Sequence, residues 1–175
     1  MNRWDLVASL PYLRFGEKPP MGRVAFESAC ASRLDVAEME AVRAALENRC
    51  PPGADAVALE WWNGEVLLRN AVIRLRAKNR SADAARFTQP CPDCRVWIER
   101  RVTDAFTRAD PLEQEADLDR ARWALADELA LSGPFAFPGI LAFAVKLRIA
   151  ERWAGLDDEK GRKNVEELIL ASVES

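Results

Sequence analysis

The chain of 175 residues contains no histidine. Histidine is the side chain that titrates nearest neutrality, the usual general base and the commonest metal ligand. Without it there are no Ser-His or Cys-His nucleophile pairs, and most zinc enzymes are excluded; carboxylate or lysine chemistry remains open to catalysis. Long apolar runs are missing too. The best, Ile140 to Val145, is broken at once by Lys146 and Arg148, far short of the roughly 18–20 residues of a membrane-spanning helix. The opening Met-Asn-Arg-Trp-Asp leads into only a short apolar patch, without the longer stretch and small-residue cleavage site of a secretory signal. Direct membrane insertion is not expected. No Gly-x-x-x-x-Gly-Lys loop, Gly-x-Gly-x-x-Gly turn or nucleophile elbow occurs, so any ATP relevant to this protein is expected to be bound by something else. Nor is there an excess of basic charge: 25 basic and 28 acidic residues leave a net −3, the opposite of the footprint of a dedicated nucleic-acid binder.

What is present suits a water-soluble globule expected in the cytoplasm: 49% hydrophobic and 30% charged residues. The length suits a single domain over residues 1–175, burying roughly 70% of the surface its unfolded chain would expose. The four cysteines are Cys30, Cys50, Cys91 and Cys94. Without an export signal and with an adequate core, a disulfide framework is not expected.

The apolar pattern is helical almost throughout, and the expected fold is an all-α helical bundle with an extended N-terminal segment. Residues 4–16, ended by Pro11 and Gly16, read as the extended segment, and Gly16 to Gly22, with two adjacent prolines, as a loop. A short helix is expected from Val24 to about Ala31. The next opens on Asp35, with Glu38 three residues on as in a capping box, carries Val36, Met39, Val42 and Leu46 on one face, and stops before Cys-Pro-Pro-Gly at 50–53. A central helix from near Asp55 to about Lys78 has two apolar seams: Trp61, Leu68, Val72 and Leu75, then Leu59, Trp62, Val66 and Ile73. A short helix and a turn fall within 79–95, and a further helix runs from about Arg95 to Phe106. Asp110-Pro111-Leu112-Glu113 is a strong helix start, continued by Leu118, Ala121, Leu125 and Leu129 as far as Ser-Gly-Pro at 132–134. Pro138 opens a helix with Ile140, Phe143, Leu147 and Ala150 inward. Asp157 caps a last one, with Val165, Leu168 and Ile169 as its stripe.

Cys91-Pro-Asp-Cys94 is the one motif with chemical potential, since a C-x-x-C pair can share a zinc ion or form a disulfide. A structural zinc wants four ligands, and with no histidine only Cys30, Cys50 or a carboxylate such as Asp93 would complete the set. The ordinary reading, a turn with two thiols, is preferred. No metal, cofactor or catalytic residue is assigned. Charge is uneven: Arg69 to Arg101 holds nine basic and three acidic residues, Asp104 to Glu128 eight acidic and three basic. Either two faces orient a partner, or the segments neutralise one another in the bundle, which is the preferred reading. Phe87 and Trp97 are the only aromatics in the basic stretch that could stack a base. Of the six tryptophans, Trp61 and Trp62 read as core and Trp153 as partly exposed. The carboxylate pairs Glu38 with Glu40, Glu113 with Glu115 and Asp157 with Asp158 lie in first helical turns, where they complement the helix dipole.

Several stretches together resemble one uncharacterised bacterial family encoded in operons for V-type (vacuolar/archaeal-type) ATPases. They are Leu-Val-Ala-Ser-Leu-Pro at 6–11 with Phe-Gly at 15–16, Leu-Leu-Arg-Asn-Ala at 67–71 running into Arg74-Leu-Arg-Ala, and Asp110-Pro-Leu-Glu-Gln-Glu. Leu-Asp-Arg-Ala-Arg-Trp at 118–123, Ala-Val-Lys-Leu-Arg-Ile-Ala-Glu-Arg-Trp at 144–153, and Leu156-Asp-Asp-Glu-Lys-Gly complete the set. The family is similar to part of the C/d subunit of V-type ATPases (C in bacteria, d in eukaryotes), the all-helical, non-enzymatic adaptor that seats the central stalk on the membrane ring. That adaptor is roughly twice as long, so its docking geometry does not transfer. The resemblance implies a non-catalytic accessory protein in ion transport, with the central stalk and membrane ring as partners, membrane-associated only through the ATPase. The alternative from another class is a small metal- or redox-responsive regulator using Cys91 and Cys94; an enzyme working through carboxylates is a third.

Overall fold

The computed structural model describes residues 3–53, 55–92 and 95–156. Among them lie seven α-helices and one short 3-10 turn: α1 Trp4–Ser9, α2 Arg23–Ala31, α3 Val36–Glu47, α4 Ala56–Asn79, the 3-10 turn Ala84–Arg86, α5 Val96–Ala105, α6 Pro111–Leu131 and α7 Phe137–Ala154. The fold is an all-α bundle. The final helix expected after Asp157 lies outside the described residues.

Local chemistry sets most boundaries. Asp35 accepts from the Glu38 amide (2.9 Å) while Glu38 accepts from the Asp35 amide (3.3 Å), a reciprocal capping box that starts α3. Asn48, left-handed at φ 56°, closes the same helix. Asp55 caps α4 through the Ala58 amide, and Asp110 caps α6 through that of Leu112, with Pro111 in the first turn. The N-terminus of α2 has no local cap. Its Arg23 amide donates instead to Oε1 of Glu151 on α7, at 2.8 Å and 128 residues away.

Residues 4–16 depart from the expected extended form in their first half. Leu6, Val7 and Leu10 have the spacing of a single helical turn, and α1 buries Leu6 completely before Pro11 forces Leu10 into the extended region. The stripe of α3 is buried at Met39, Val42 and Leu46, but Val36 is 89% exposed because it is the first helical residue, beyond the reach of the core. On α4, Trp61, Val66 and Leu68 are buried while Leu59 is largely exposed. The most enclosed helix is α7 rather than α4, with Ile140 to Val145 buried around their full circumference.

Two apolar clusters result. The larger joins α1, α2, α3 and α7 with Ala58 and Trp61 of α4 and Ala126 and Leu129 of α6. The smaller joins Leu67, Leu68 and Ala71 of α4, Ile98, Val102 and Ala105 of α5, and Leu118, Ala121 and Leu125 of α6. The long helices α4 and α6 therefore run through both. They approach closely at Gly64, where an added Cβ would lie 3.2 Å from Leu125 Cδ2.

Candidate functional site

Where α4, α6 and α7 converge, the core is charged rather than apolar. Glu65 and Asp119 are each only 2% exposed. Arg122 holds both: its Nε–H donates to the two carboxylate oxygens of Glu65 (3.3 and 3.0 Å) and its Nη1 to Oδ1 of Asp119 (2.9 Å). Arg69, one turn along α4, donates to Oε1 of Glu65 (2.8 Å) and to the backbone carbonyl of Asn48 (3.2 Å), tying in the end of α3. From α7, Arg152 Nη1 and Trp153 Nε1 both donate to Oδ2 of Asp119 at 2.9 Å, and Arg152 Nη2 reaches Glu115 at 3.0 Å. Satisfied in this way, buried charges register one helix against the next.

Burial by itself would favour the neutral form of Glu65, but the fields and hydrogen bonds of Arg122, then Arg69 and Arg148, outweigh it and hold the carboxyl below its usual range. Arg122 is strongly desolvated as well, yet Glu65 and Asp119 push its pKa upward. A carboxylate fixed in this state, accepting from two guanidinium groups, is suited to clamping helices rather than to moving protons. Arg148 differs. It is partly buried on α7, desolvation pulls its pKa below the ordinary value, and Arg122 and Arg69 add to the effect that Glu65 and Asp119 oppose. A cavity of about 280 Å³ opens beside it, lined by Asn48, Glu115, Asp119, Arg122, Arg148, Ile149 and Arg152.

An aromatic cluster flanks the network. Phe15 packs edge-on against Trp123 and tilted against Trp153, both at 5.7 Å, with Arg120 over Phe15 (5.0 Å) and Lys146 over Trp123 (5.4 Å). Trp153 is partly exposed, as expected. Trp61 is buried against Trp62, whose ring Arg69 covers at 4.8 Å. On the far side of α4, the buried Asn70 clasps the following loop: its Nδ2 donates to the Gln89 carbonyl (2.7 Å) and its Oδ1 accepts from the Gln89 amide (2.9 Å).

The thiols stand apart from this site. Cys30 is buried, and desolvation pushes its pKa up to about 12. Cys50 is exposed, and Cys91 Sγ sits 3.3 Å from the Asn63 carbonyl. Asp93 and Cys94 lie outside the described residues. Among the described residues no group of three or more Cys, Asp or Glu side chains is arranged to hold a metal ion, and no helix is long and apolar enough to cross a membrane. Phe87 is exposed, whereas Trp97 packs on the smaller core. Of the paired carboxylates, Glu38 serves the capping box and Arg3, Glu40 meets Arg49, Glu115 meets Arg152, and Asp157 and Asp158 lie outside the described residues. Among the described residues, the acidic stretch 104–128 is neutralised mainly by Arg108, Arg120 and Arg122 within it and by Lys146 and Arg152 of α7. From the basic stretch, Arg95 reaches it through Glu128 at 3.4 Å.

Sequence reasoning missed Glu65 and Asp119. The signal was there: Glu65 interrupts the Trp61–Leu68 seam one turn after Trp61, and Asp119 adjoins Leu118 on an inward face. A family model described as "Protein of unknown function (DUF2764)" matches residues 96–174, just under half of the chain and including α5, α6 and α7. Comparison with curated proteins and with solved structures gives no match.

Proposed function

We propose that this protein is a non-catalytic adaptor or accessory component of a V-type ATPase, similar to part of the C/d subunit, that links the rotor stalk to the membrane ring. One observation supports the reading above the others. Residues from five of the six short strings that carry the sequence resemblance meet at one place in the fold. Phe15 from the first, Arg69 from the second, Glu115 from the third, Asp119, Arg120, Arg122 and Trp123 from the fourth, and Lys146, Arg148, Arg152 and Trp153 from the fifth lie in the network, its adjoining cavity or its aromatic flank. A braced, close-packed bundle resists deformation and transmits load, which is what a spacer between moving parts requires. Association with the membrane would then be indirect, through the ATPase.

The experiment is affinity purification of tagged protein from its native host, followed by identification of co-purifying ATPase proteins. Recovery of stalk and ring proteins in fixed ratio to the bait supports the adaptor; their absence under conditions that keep the ATPase intact rejects it. The alternative of a metal- or redox-responsive regulator at Cys91 and Cys94 is separated by elemental analysis of the purified protein. Near-stoichiometric zinc lost on Cys91→Ser favours the regulator, and metal-free protein of unchanged stability discards it.

A further inference from the structure

Helix α4 carries more apolar surface than the described residues cover. Its two seams predict Val72 and Ile73 in the core, yet both are only partly buried. Val72 edges the smaller apolar cluster and Ile73 belongs to neither. Both line an open groove of about 290 Å³ between α4 and α6, where the buried Leu68 and Leu118 supply further apolar lining. The charged groups in this groove are mostly spoken for: Arg69 and Arg122 pair with Glu65, and Glu115 with Arg152. Arg76 is different. It is exposed, lies over the Phe106 ring at 5.6 Å, and has no ion pair among the described residues. Arg80, one turn on at the end of α4, is exposed and has none either. The groove is therefore apolar with a cationic edge.

A second stripe in the same chain has the complementary make-up. Val165, Leu168 and Ile169 recur at helical spacing, and residues 164–175 carry Glu166, Glu167 and Glu174 with no basic side chain. The described chain also ends beside the groove. Arg152, in the last turn of α7, donates to Glu115 of the groove at 3.0 Å, and Leu156 follows one turn later. We propose that residues 164–175 dock in the α4–α6 groove of their own chain. Val165, Leu168 and Ile169 lie on Val72, Ile73 and Leu118, and the glutamates face Arg76 and Arg80. From Leu156 to Val165 the chain can span up to roughly 30 Å, several times the roughly 8–10 Å between packed helix axes, so the segment reaches the groove. Attachment so near gives it an effective concentration on the order of millimolar, which favours it over the same segment of a second copy. The volume lies just under the roughly 300–1,000 Å³ of small-molecule sites and suits a few aliphatic side chains. This inference goes beyond the adaptor reading and does not depend on it, because its test uses the purified full chain alone.

The test is NMR of the full chain with labelled Ile, Leu and Val methyl groups. Through-space contacts are expected between the methyls of Val165, Leu168 and Ile169 and those of Val72, Ile73 and Leu118. A mixture of Ile-labelled and Leu/Val-labelled chains separates the two sources of the segment: Ile73–Leu168 contacts vanish there if docking is within one chain and persist if it is between copies. Ile73→Asp places a charge in the groove and should abolish the contacts, with amide exchange over 165–173 faster by about tenfold or more. Arg76→Glu, an exposed change that spares the core, should accelerate the same amides several-fold, and adding Glu166→Lys and Glu167→Lys should reverse the effect. Contacts of the three stripe methyls with other parts of the chain, or with none, overturn the proposal, as do contacts that persist in the mixed sample. Unchanged exchange in Arg76→Glu, or no reversal by the two lysines, overturns the assigned charge pairing and with it the proposal. Should Ile73→Asp not fold, the wild-type contacts and the Arg76→Glu series decide.

Discussion

Arg122 and Glu65, 57 residues apart in the chain, meet in the core with one guanidinium N–H shared between both carboxylate oxygens, at 3.3 and 3.0 Å. Each member also has further partners: Arg69 on Glu65, and Asp119 on Arg122. The pair therefore locks α4 to α6 and, through Asp119, to α7. Removing one member is expected to cost more than removing both. Glu65→Met alone leaves Arg122 with an uncompensated share of buried charge and should destabilise by about 3–5 kcal/mol. The double change Glu65→Met with Arg122→Met should recover a large part of that loss, because Asp119 keeps Arg152 and Trp153. Denaturant unfolding of the wild type, both single variants and the double variant gives the coupling directly.

The same carboxylate sets a pH dependence. The pKa of Glu65 is lowered in the folded protein from its ordinary 4.5. A lowered folded-state pKa means that the unfolded chain takes up the proton first on acidification. Its stabilisation is therefore complete well above pH 4.5 and is lost as pH falls below that value towards the folded-state pKa. Glu65→Gln should flatten this part of the stability–pH profile while leaving the slope near neutrality unchanged. Unfolding free energies measured from neutral pH down into the acid range below the ordinary carboxylate pKa test it.

Asn70 gives a local rather than global prediction. Its amide makes two bonds to the Gln89 backbone, and Asn70→Ala removes both at once. The expected cost is about 1–3 kcal/mol. Hydrogen exchange should accelerate across residues 80–92 before it does in α6 or α7, because those helices have their own core contacts.

At the α6–α7 turn the constraint is steric. A Cβ on Gly139 would lie 2.4 Å from the backbone oxygen of Pro134, too close without opening the turn. Gly139→Ala should destabilise by about 1–3 kcal/mol. Gly155→Ala, whose added carbon meets nothing nearer than 3.4 Å, serves as the tolerated control. Thermal melts of the two variants side by side distinguish them.

Thiol reactivity should separate the cysteines by burial. Cys50 is exposed and reacts with a disulfide reagent in the native protein; Cys30, buried and with its thiol pushed up to about 12, reacts only after denaturation. Mass-spectrometric mapping of modified residues reads this out. Fast native labelling of Cys30 would show that α2 does not pack as described.

The helices were largely legible because their signals are local. Asp35 with Glu38, Asp55, and Asp110 with Pro111 announce their own helix starts, and the stripe Leu118, Ala121, Leu125 and Leu129 is buried throughout. The first helix was not legible: Pro11 and Gly16 dominate the pattern of 4–16, and the single turn at Trp4–Ser9 forms because Leu6 finds a place in a core assembled from distant residues. The charged site was hidden for the same reason. Glu65 reads as one more polar residue on a helix until Arg122 is brought to it across 57 residues. The uneven charge of 69–101 and 104–128 was visible, yet its resolution through Arg152 of α7 depends on packing rather than on sequence order.

Loss of an adaptor must show in the assembled ATPase. Membranes from cells lacking this protein should contain ring proteins with fewer stalk proteins per ring and should show less ATP-driven ion transport, both restored by the wild-type gene. A normal stalk-to-ring ratio together with normal coupled turnover in its absence would be incompatible with an adaptor role.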